Sequence, residues 1–404
     1  MLRKIGLIVK MINHQSEMLM VTGLARSGTT LLSECLDHHP RVMCISDMMN
    51  ELLKGFVRYA YYQVENEKKS DSYPLDNLFF SGSKKVIQFI NESNLKHKIP
   101  AYLRKEIISK TIQRDGGYNP EIIEHIRKCQ ALSFDLLFLE IMEILYGLYG
   151  KKNLVIFGIK TTWCEQLISP LSNTFPNMVF INLLRDPRAV VASNYMSSEN
   201  TRYPLFVNIR DWRKSVYYSW KYQHQDKHIS DKFLSVKYED LVDNPMGVMR
   251  KISVFIGVKY NRLMVESSFK QPNTSYKNID NIGSISKNHK EKWKEVLSKD
   301  FILQIESYCS AEMNRLGYTQ MYSNIALEDC SLMSMKQIGY ESIPKWCDEV
   351  VQNKEYYEET WIKYNSLLEL TRMTVLKSTN NTKNSRIIND FFYEKDYFNW
   401  LRSD

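Results

Sequence analysis

Residues Gly23, Leu24, Ala25, Arg26, Ser27, Gly28, Thr29 and Thr30 follow the GxxxxG spacing of a phosphate-binding loop, with hydroxyl residues where a helix should begin. Glycines at both ends let the backbone turn tightly enough for successive N–H groups to point at one anion. The helix N-terminus and the hydroxyls of Thr29 and Thr30 add to that donor set. The lysine that such a loop uses to reach a β- or γ-phosphate is absent, its place taken by Thr29, while Arg26 carries positive charge inside the loop. This composition suits a single phosphate better than a magnesium-bound triphosphate. A second cluster, Arg185-Asp186-Pro187-Arg188, ends an apolar run. An arginine leaving a parallel strand at its carboxyl end can grip a phosphate with both arms of its guanidinium. Asp186 and Pro187 read as the N-cap and first residue of a helix that carries a further hydroxyl, Ser193, about two turns along. Because the run ends in an acid, a magnesium-binding Walker B strand is an alternative; Arg185 directly before Asp186 argues against it.

These groups need a scaffold. Met18 to Thr22 is an apolar, β-prone run that leads into Gly23, and the pattern Leu31, Leu32, Cys35, Leu36 behind the loop is helical, so the unit reads strand, loop, helix. Leu154–Lys160 and Met178–Leu184 are near-continuous apolar runs of the kind found in parallel sheets buried on both faces; Phe233–Tyr238 is a fourth strand, followed by a helix over Met246–Ile256 that ends at Gly257. Strands separated by helical stretches predict an α/β fold, a three-layer, P-loop-like parallel sheet flanked by helices. Within it, Leu52 to Lys152 reads as a helical cap insertion, with helices over Pro120–Cys129 and Leu132–Tyr149. Asn261 to Lys290 reads as a long loop before a helix that starts near Lys292. The expected division is a domain over 1–322, with the cap at about 52–152, and a helical C-terminal extension over 323–404 that contains Trp346, Trp361 and Trp400.

The 404 residues carry 54 Lys plus Arg against 46 Asp plus Glu, a net charge of +8 spread along the chain rather than gathered in a tail. That spread suits a polyanionic small ligand better than nucleic acid. Seven cysteines, odd in number and without a CxxC pair, predict reduced, mostly buried thiols rather than a metal or redox site. The apolar stretch at the N-terminus is interrupted by Lys10, Asn13 and His14, too soon for a signal peptide, and no run reaches a membrane span. The expected location is the cytoplasm.

Taken together, the loop Arg26-Ser27-Gly28-Thr29-Thr30, the run LLRDPRAVVAS that contains Arg185 and Ser193, the segment SVKYEDLVDNP and a late Trp-Lys helix resemble the sulfotransferase superfamily over roughly residues 18 to 318. The similarity is to the branch of tyrosylprotein and bacterial carbohydrate or metabolite sulfotransferases. It implies 3'-phosphoadenosine 5'-phosphosulfate (PAPS) as donor, 3',5'-adenosine bisphosphate (PAP) as product and no required metal. The loop residues Arg26, Ser27, Gly28, Thr29 and Thr30 would hold the 5'-phosphosulfate, with Arg185 and Ser193 on the 3'-phosphate. Tyr238 matches a position on the adenine side of the cofactor, a core aromatic at a strand end being the competing reading. Ser286 and Lys287, in the long loop, would close over the 3'-phosphate, although the Gly-rich motif of the cytosolic phenol and steroid branch is not reproduced there. Counted without a gap from the loop, Asp47 falls where the tyrosylprotein enzymes have a catalytic glutamate. The histidine base of the cytosolic branch is absent, because Lys160-Thr161 is followed by Thr162.

Transfer of a sulfuryl group needs an acceptor nucleophile in line with the leaving oxygen, a base, and cations for the charge on the leaving phosphate. The resemblance assigns these roles to Asp47 as carboxylate base, to Lys160 at its strand end and to Arg26 in the loop. An ordinary surface acid is the plain alternative for Asp47, and His38 and His39 are rival bases, read more simply as the polar end of a helix before Pro40. The acceptor, a hydroxyl or amine on a carbohydrate, lipid, phenol or peptide, is not specified. Lys96, Lys98, Arg104 and Lys105 would attract an anionic acceptor or else form a solvated face. Two other classes compete. A P-loop kinase or NTPase would need a lysine after Gly28, and a non-catalytic nucleotide-binding protein of the same fold would bind PAP without transfer.

Overall fold

The computed structural model describes residues 17–66, 84–115, 120–197, 205–266, 285–322, 362–378, 388 and 391–403. Five strands, β1 (Glu17–Thr22), β2 (Val42–Ser46), β3 (Ile156–Lys160), β4 (Val179–Leu184) and β5 (Phe233–Lys237), form one all-parallel sheet in the order β2-β3-β1-β4-β5. Every residue of β3 and β4 is buried, as near-continuous apolar runs require when both faces are covered. The two faces of β1 separate cleanly. Leu19 and Val21 pack with Leu32, Cys35 and Leu36 of α1 (Thr29–Asp37), whereas Met18 and Met20 turn into the larger core on the other side.

The larger core is built from helices that the sequence reading placed in the cap. These are α2 (Asn50–Glu65), α3 (Lys84–Glu92), α4 (Ala101–Asp115) and α5 (Phe134–Tyr149), with α6 (Ile168–Thr174) following β3. Phe56 meets Phe134 edge to face at 5.2 Å between ring centroids. The helix α8 (Leu205–His224) joins this core through Tyr217, Tyr218, Trp220 and Tyr222, and through Ile209, Trp212 and Val216 it packs with α7 (Pro187–Tyr195) and α11 (Lys299–Arg315) in a second cluster. The helices α9 (Tyr238–Asp243) and α10 (Pro245–Phe255) follow β5.

Four differences from the sequence reading are local. β2 was not anticipated, because VMCIS is a five-residue run directly after Pro40-Arg41 and shows no alternation. The fourth strand stops at Lys237, and Tyr238 opens α9 instead of ending β5, since the acids Glu239 and Asp240 favour a helix's first turn. The helix expected near Lys292 is split into a single turn, Trp293–Val296, and α11, whose N-cap Ser298 accepts from the Phe301 N–H. A short helix at Leu263–Glu266 interrupts the segment read as a loop. Residues 267–284 lie outside the described residues, as do Trp346, Trp361, Cys330 and Cys347.

Two C-terminal helices, α12 (Ile362–Lys377) and α13 (Lys395–Arg402), belong to the packed body rather than lying apart from it. Glu369 of α12 is wholly buried and accepts from both Arg210 (2.8 Å) and Arg213 (2.7 Å) of α8, and Arg372 pairs with Glu312 of α11. Burial pushes the Glu369 carboxyl up, and Arg213 and Arg210 outweigh it and hold it down at about 2. Tyr393 stacks on Tyr217 of α8 at 3.9 Å. The free cysteines Cys35, Cys44, Cys129, Cys164 and Cys309 are all buried, and burial raises each thiol pKa, leaving them in the inert protonated form.

Candidate active site

The loop after β1 has room only for glycine at its two ends. Gly23 has φ +147°, and a Cβ there would sit 2.5 Å from the carbonyl oxygen of Leu183 in β4. Gly28, at φ +92°, caps α1, and a Cβ would lie 2.4 Å from the Tyr238 ring. Between them the turn closes through Ser27 N–H to the Leu24 carbonyl (3.1 Å), and Arg26 adopts φ +73°, a conformation that costs a non-glycine residue energy and recurs where backbone amides are aimed at a ligand. The Gly28 carbonyl accepts from Leu32 N–H at 3.1 Å, so α1 begins at the loop's end.

Arg185 leaves β4 beside this loop. Its guanidinium donates to the main-chain carbonyls of Arg26 (2.9 Å) and His289 (2.8 Å) and lies over the Tyr238 ring at 4.2 Å. Its own carbonyl accepts from the Trp212 indole at 2.7 Å. Asp186 caps α7 through Arg188 N–H (2.8 Å) and holds the Arg188 side chain. The second arginine is therefore structural, tied also to Glu306 and laid on Trp293 at 4.0 Å. With its carboxylate so engaged, Asp186 is not the open acid that a Walker B strand presents. Ser193 is buried on α7. Lys287, itself exposed, opens the single turn Lys287–His289, and Ser286 stands beside it; that turn supplies the carbonyl of half-buried His289 to Arg185, which brings both residues to this side of the loop.

On the other side of β1, the sheet sets Ser46 of β2 against Lys160 of β3. The Lys160 ammonium, only 3 % exposed, reaches Asp47 Oδ2 at 2.6 Å, while Asp47 Oδ1 accepts from Asn50 at 3.0 Å. Asp47 is 29 % exposed and has φ +67°. His39 is engaged at both ring nitrogens, with the Lys259 carbonyl (3.0 Å) and the Arg41 N–H (3.0 Å), and burial lowers its pKa. His39 therefore lacks the open ring nitrogen of a base. His38 forms the C-cap of α1.

The loop mouth is polar and under-satisfied. The hydroxyls of Ser27, Thr22 and Thr161 and the Nε of Arg185 are buried and have no hydrogen-bond partner among the described residues. Such orphaned donors, next to amides in strained turns and two buried cations, fit an anion with several acceptor oxygens. Sequence reasoning missed Trp212, which steadies Arg185; Glu239, which accepts from the Asp186 N–H (2.9 Å) and from Tyr318 (3.1 Å); and Asn50. Glu239 stands next to Tyr238 in the quoted segment, and that adjacency was its available signal.

Residues 19–262, more than half of the chain, match the sequence model of the Sulfotransferase family. Among curated proteins, a putative protein-tyrosine sulfotransferase of Caenorhabditis briggsae is 22 % identical over 261 residues, covering 63 % of this chain and 70 % of that protein. Carbohydrate sulfotransferase 1 of Rattus norvegicus is 22 % identical over 361 residues, covering 79 % and 83 %. Among solved structures, the sulfotransferase domain from the curacin biosynthetic pathway aligns with 73 % of this chain and 98 % of its own, at 17 % identity and a TM-score of 0.42. The chain belongs to the sulfotransferase family and is an enzyme of the transferase class.

Proposed function

We propose that the chain moves a sulfuryl group from PAPS to a hydroxyl or amine of its acceptor by in-line transfer, with Asp47 as the general base. The observation that carries this reading is the Lys160–Asp47 contact of 2.6 Å at the carboxyl edge of the sheet, which sets a carboxyl group and a buried lysine side by side next to the phosphate loop. Bound, the donor supplies a sulfuryl group whose bond to the 5'-phosphate oxygen breaks as the bond from the acceptor atom to sulfur forms. Asp47 takes the acceptor proton at a carboxylate oxygen. Lys160 keeps positive charge where negative charge grows on the leaving oxygens, and Arg26 with the loop N–H groups holds the 5'-phosphate. Arg185, Ser193, Ser286 and Lys287 serve the 3'-phosphate, and Tyr238, already stacked on Arg185, flanks the adenine. In this reading residues 1–322 form the catalytic domain, the helices of about 52–152 shape the acceptor side, and the C-terminal extension from residue 323 braces α8.

Calorimetric titration with PAP, beside ATP with magnesium, on wild type and Arg185→Ala tests the cofactor class. Micromolar or tighter PAP binding that the substitution removes is the expected result. Tight, magnesium-dependent ATP binding without PAP affinity overturns it in favour of a phosphoryl transferase. PAP binding with no transfer to any of a broad panel of hydroxyl and amine acceptors favours a non-catalytic binder.

A further inference from the structure

Five residues beyond Lys160, the turn Glu165–Leu167 sits at the carboxyl end of β3. It is anchored near the phosphate loop, because Trp163 N–H donates to the Gly23 carbonyl at 3.2 Å. Glu165 is 1 % exposed, and neither of its carboxylate oxygens has a hydrogen-bond partner among the described residues. An unpaired buried carboxylate is expensive, and native chains keep one where a ligand compensates it. Its surroundings are acidic and aromatic. Asp211 of α8, 7 % exposed, lies 3.4 Å from Lys214 and close enough to Glu165 to feel its charge. The Tyr222 hydroxyl donates to the Glu165 carbonyl at 3.1 Å, with the Tyr218 ring stacked behind it. Lys54 and Lys214 both lie within electrostatic reach of the adjacent Cys164, yet neither donates a hydrogen bond to the Glu165 carboxyl oxygens among the described residues.

We propose that Glu165 recognises the acceptor by taking a protonated amine, so that the preferred acceptors carry an ammonium group at a distance from the atom that is sulfated. This rests on the sulfuryl-transfer reading of the neighbouring site. Glu165 is a specificity residue and takes no part in the proton transfer assigned to Asp47. An ammonium supplies the donors that both oxygens lack and offsets the buried charge, whereas an uncharged analogue leaves the carboxylate unpaired.

The test measures radiolabelled sulfuryl transfer from PAPS to matched pairs, tyramine against 4-ethylphenol and glucosamine against glucose. Calorimetric binding of the same four compounds to the PAP-loaded chain runs alongside. Wild type should favour the amine of each pair by about 10- to 100-fold in kcat/KM or affinity. Glu165→Gln should erase that preference while PAP affinity stays unchanged. Because removing an unpartnered buried carboxyl group relieves a penalty, Glu165→Gln and Glu165→Leu should both raise Tm, whereas a structural role predicts a lower one. A wild type indifferent to the amine, or a preference that survives in Glu165→Gln, overturns the proposal. Loss of PAP binding in the wild type itself would instead bring down the sulfotransferase reading on which it stands.

Discussion

Asp47 and Lys160 are joined twice: the Asp47 N–H donates to the Lys160 carbonyl at 2.6 Å, and the Lys160 ammonium donates back to the Asp47 carboxylate at 2.6 Å. The main-chain bond extends the β2–β3 register by one step beyond Ser46 and forces Asp47 into φ +67°, turning its side chain onto the lysine. A carboxyl group held this way has a fixed direction, which matters for a base that must meet one proton.

Asp47→Asn should lower kcat by about 10²- to 10⁴-fold while leaving the PAP dissociation constant within a few-fold of wild type. Steady-state kinetics beside calorimetry checks this, and an Asn variant of near-normal turnover removes Asp47 from the mechanism. Lys160→Ala should reduce turnover more than binding, since its charge counts most as the leaving oxygen departs.

Arg185→Lys should restore little of the PAP affinity lost in Arg185→Ala. The guanidinium bridges two carbonyls and a ring face at once, and an ammonium cannot reproduce that fork. Equal affinities for the lysine variant and wild type would show that only charge is needed there.

Gly28→Ala should abolish PAP binding and destabilise the chain by about 1–3 kcal/mol, because the new methyl group meets the Tyr238 ring at φ +92°. Adding Tyr238→Ala should recover part of that stability, since the clash goes and the backbone strain stays. Thermal unfolding of the two single variants and the double variant measures the coupling.

Stability should depend on pH in two windows with opposite signs. Glu369 has its carboxyl lowered to about 2 by Arg213 and Arg210 against the opposing effect of burial, so the unfolded chain binds the proton first. Its stabilisation is present above pH 4.5 and disappears as pH falls toward 2; Glu369→Gln should lower stability at neutral pH and flatten that acid limb. Asp211 is the reverse case. Burial raises it to about 6, Glu165 adds to the rise and Lys214 opposes it, so the folded chain binds the proton first and stability falls as pH climbs from about 4 to about 6. Asp211→Asn should remove that decline in unfolding titrations run across both windows.

Local chemistry was readable along the chain wherever a motif and its supporting element are contiguous. The strand, glycine turn and helix over Met18–Leu36, the apolar strands ending at Lys160 and Leu184, and the Asp186-Pro187 cap are short-range patterns, and the structure places each of them within a residue or two of its expected bounds. β2 escaped because five apolar residues without periodicity carry too little signal. The roles of Trp212 and Glu239 escaped because an indole or carboxylate that serves a distant main-chain group looks, in one dimension, like any other core or surface side chain.

The sequence by itself determined the class of the fold and the strand, glycine turn and helix that build the loop, since glycine spacing, hydroxyls and apolar runs act over one turn or one strand. Only the tertiary structure decided which charges meet. Lys160 and Asp47 are 113 residues apart, Arg185 and Arg26 are 159 apart, and the strand order β2-β3-β1-β4-β5 lays their strand ends side by side. The same packing left both oxygens of Glu165 buried and without a hydrogen-bond partner among the described residues, beside Lys160's strand. Burial and charge pairing depend on distances in space, and those distances are set when non-local strands and helices close the core.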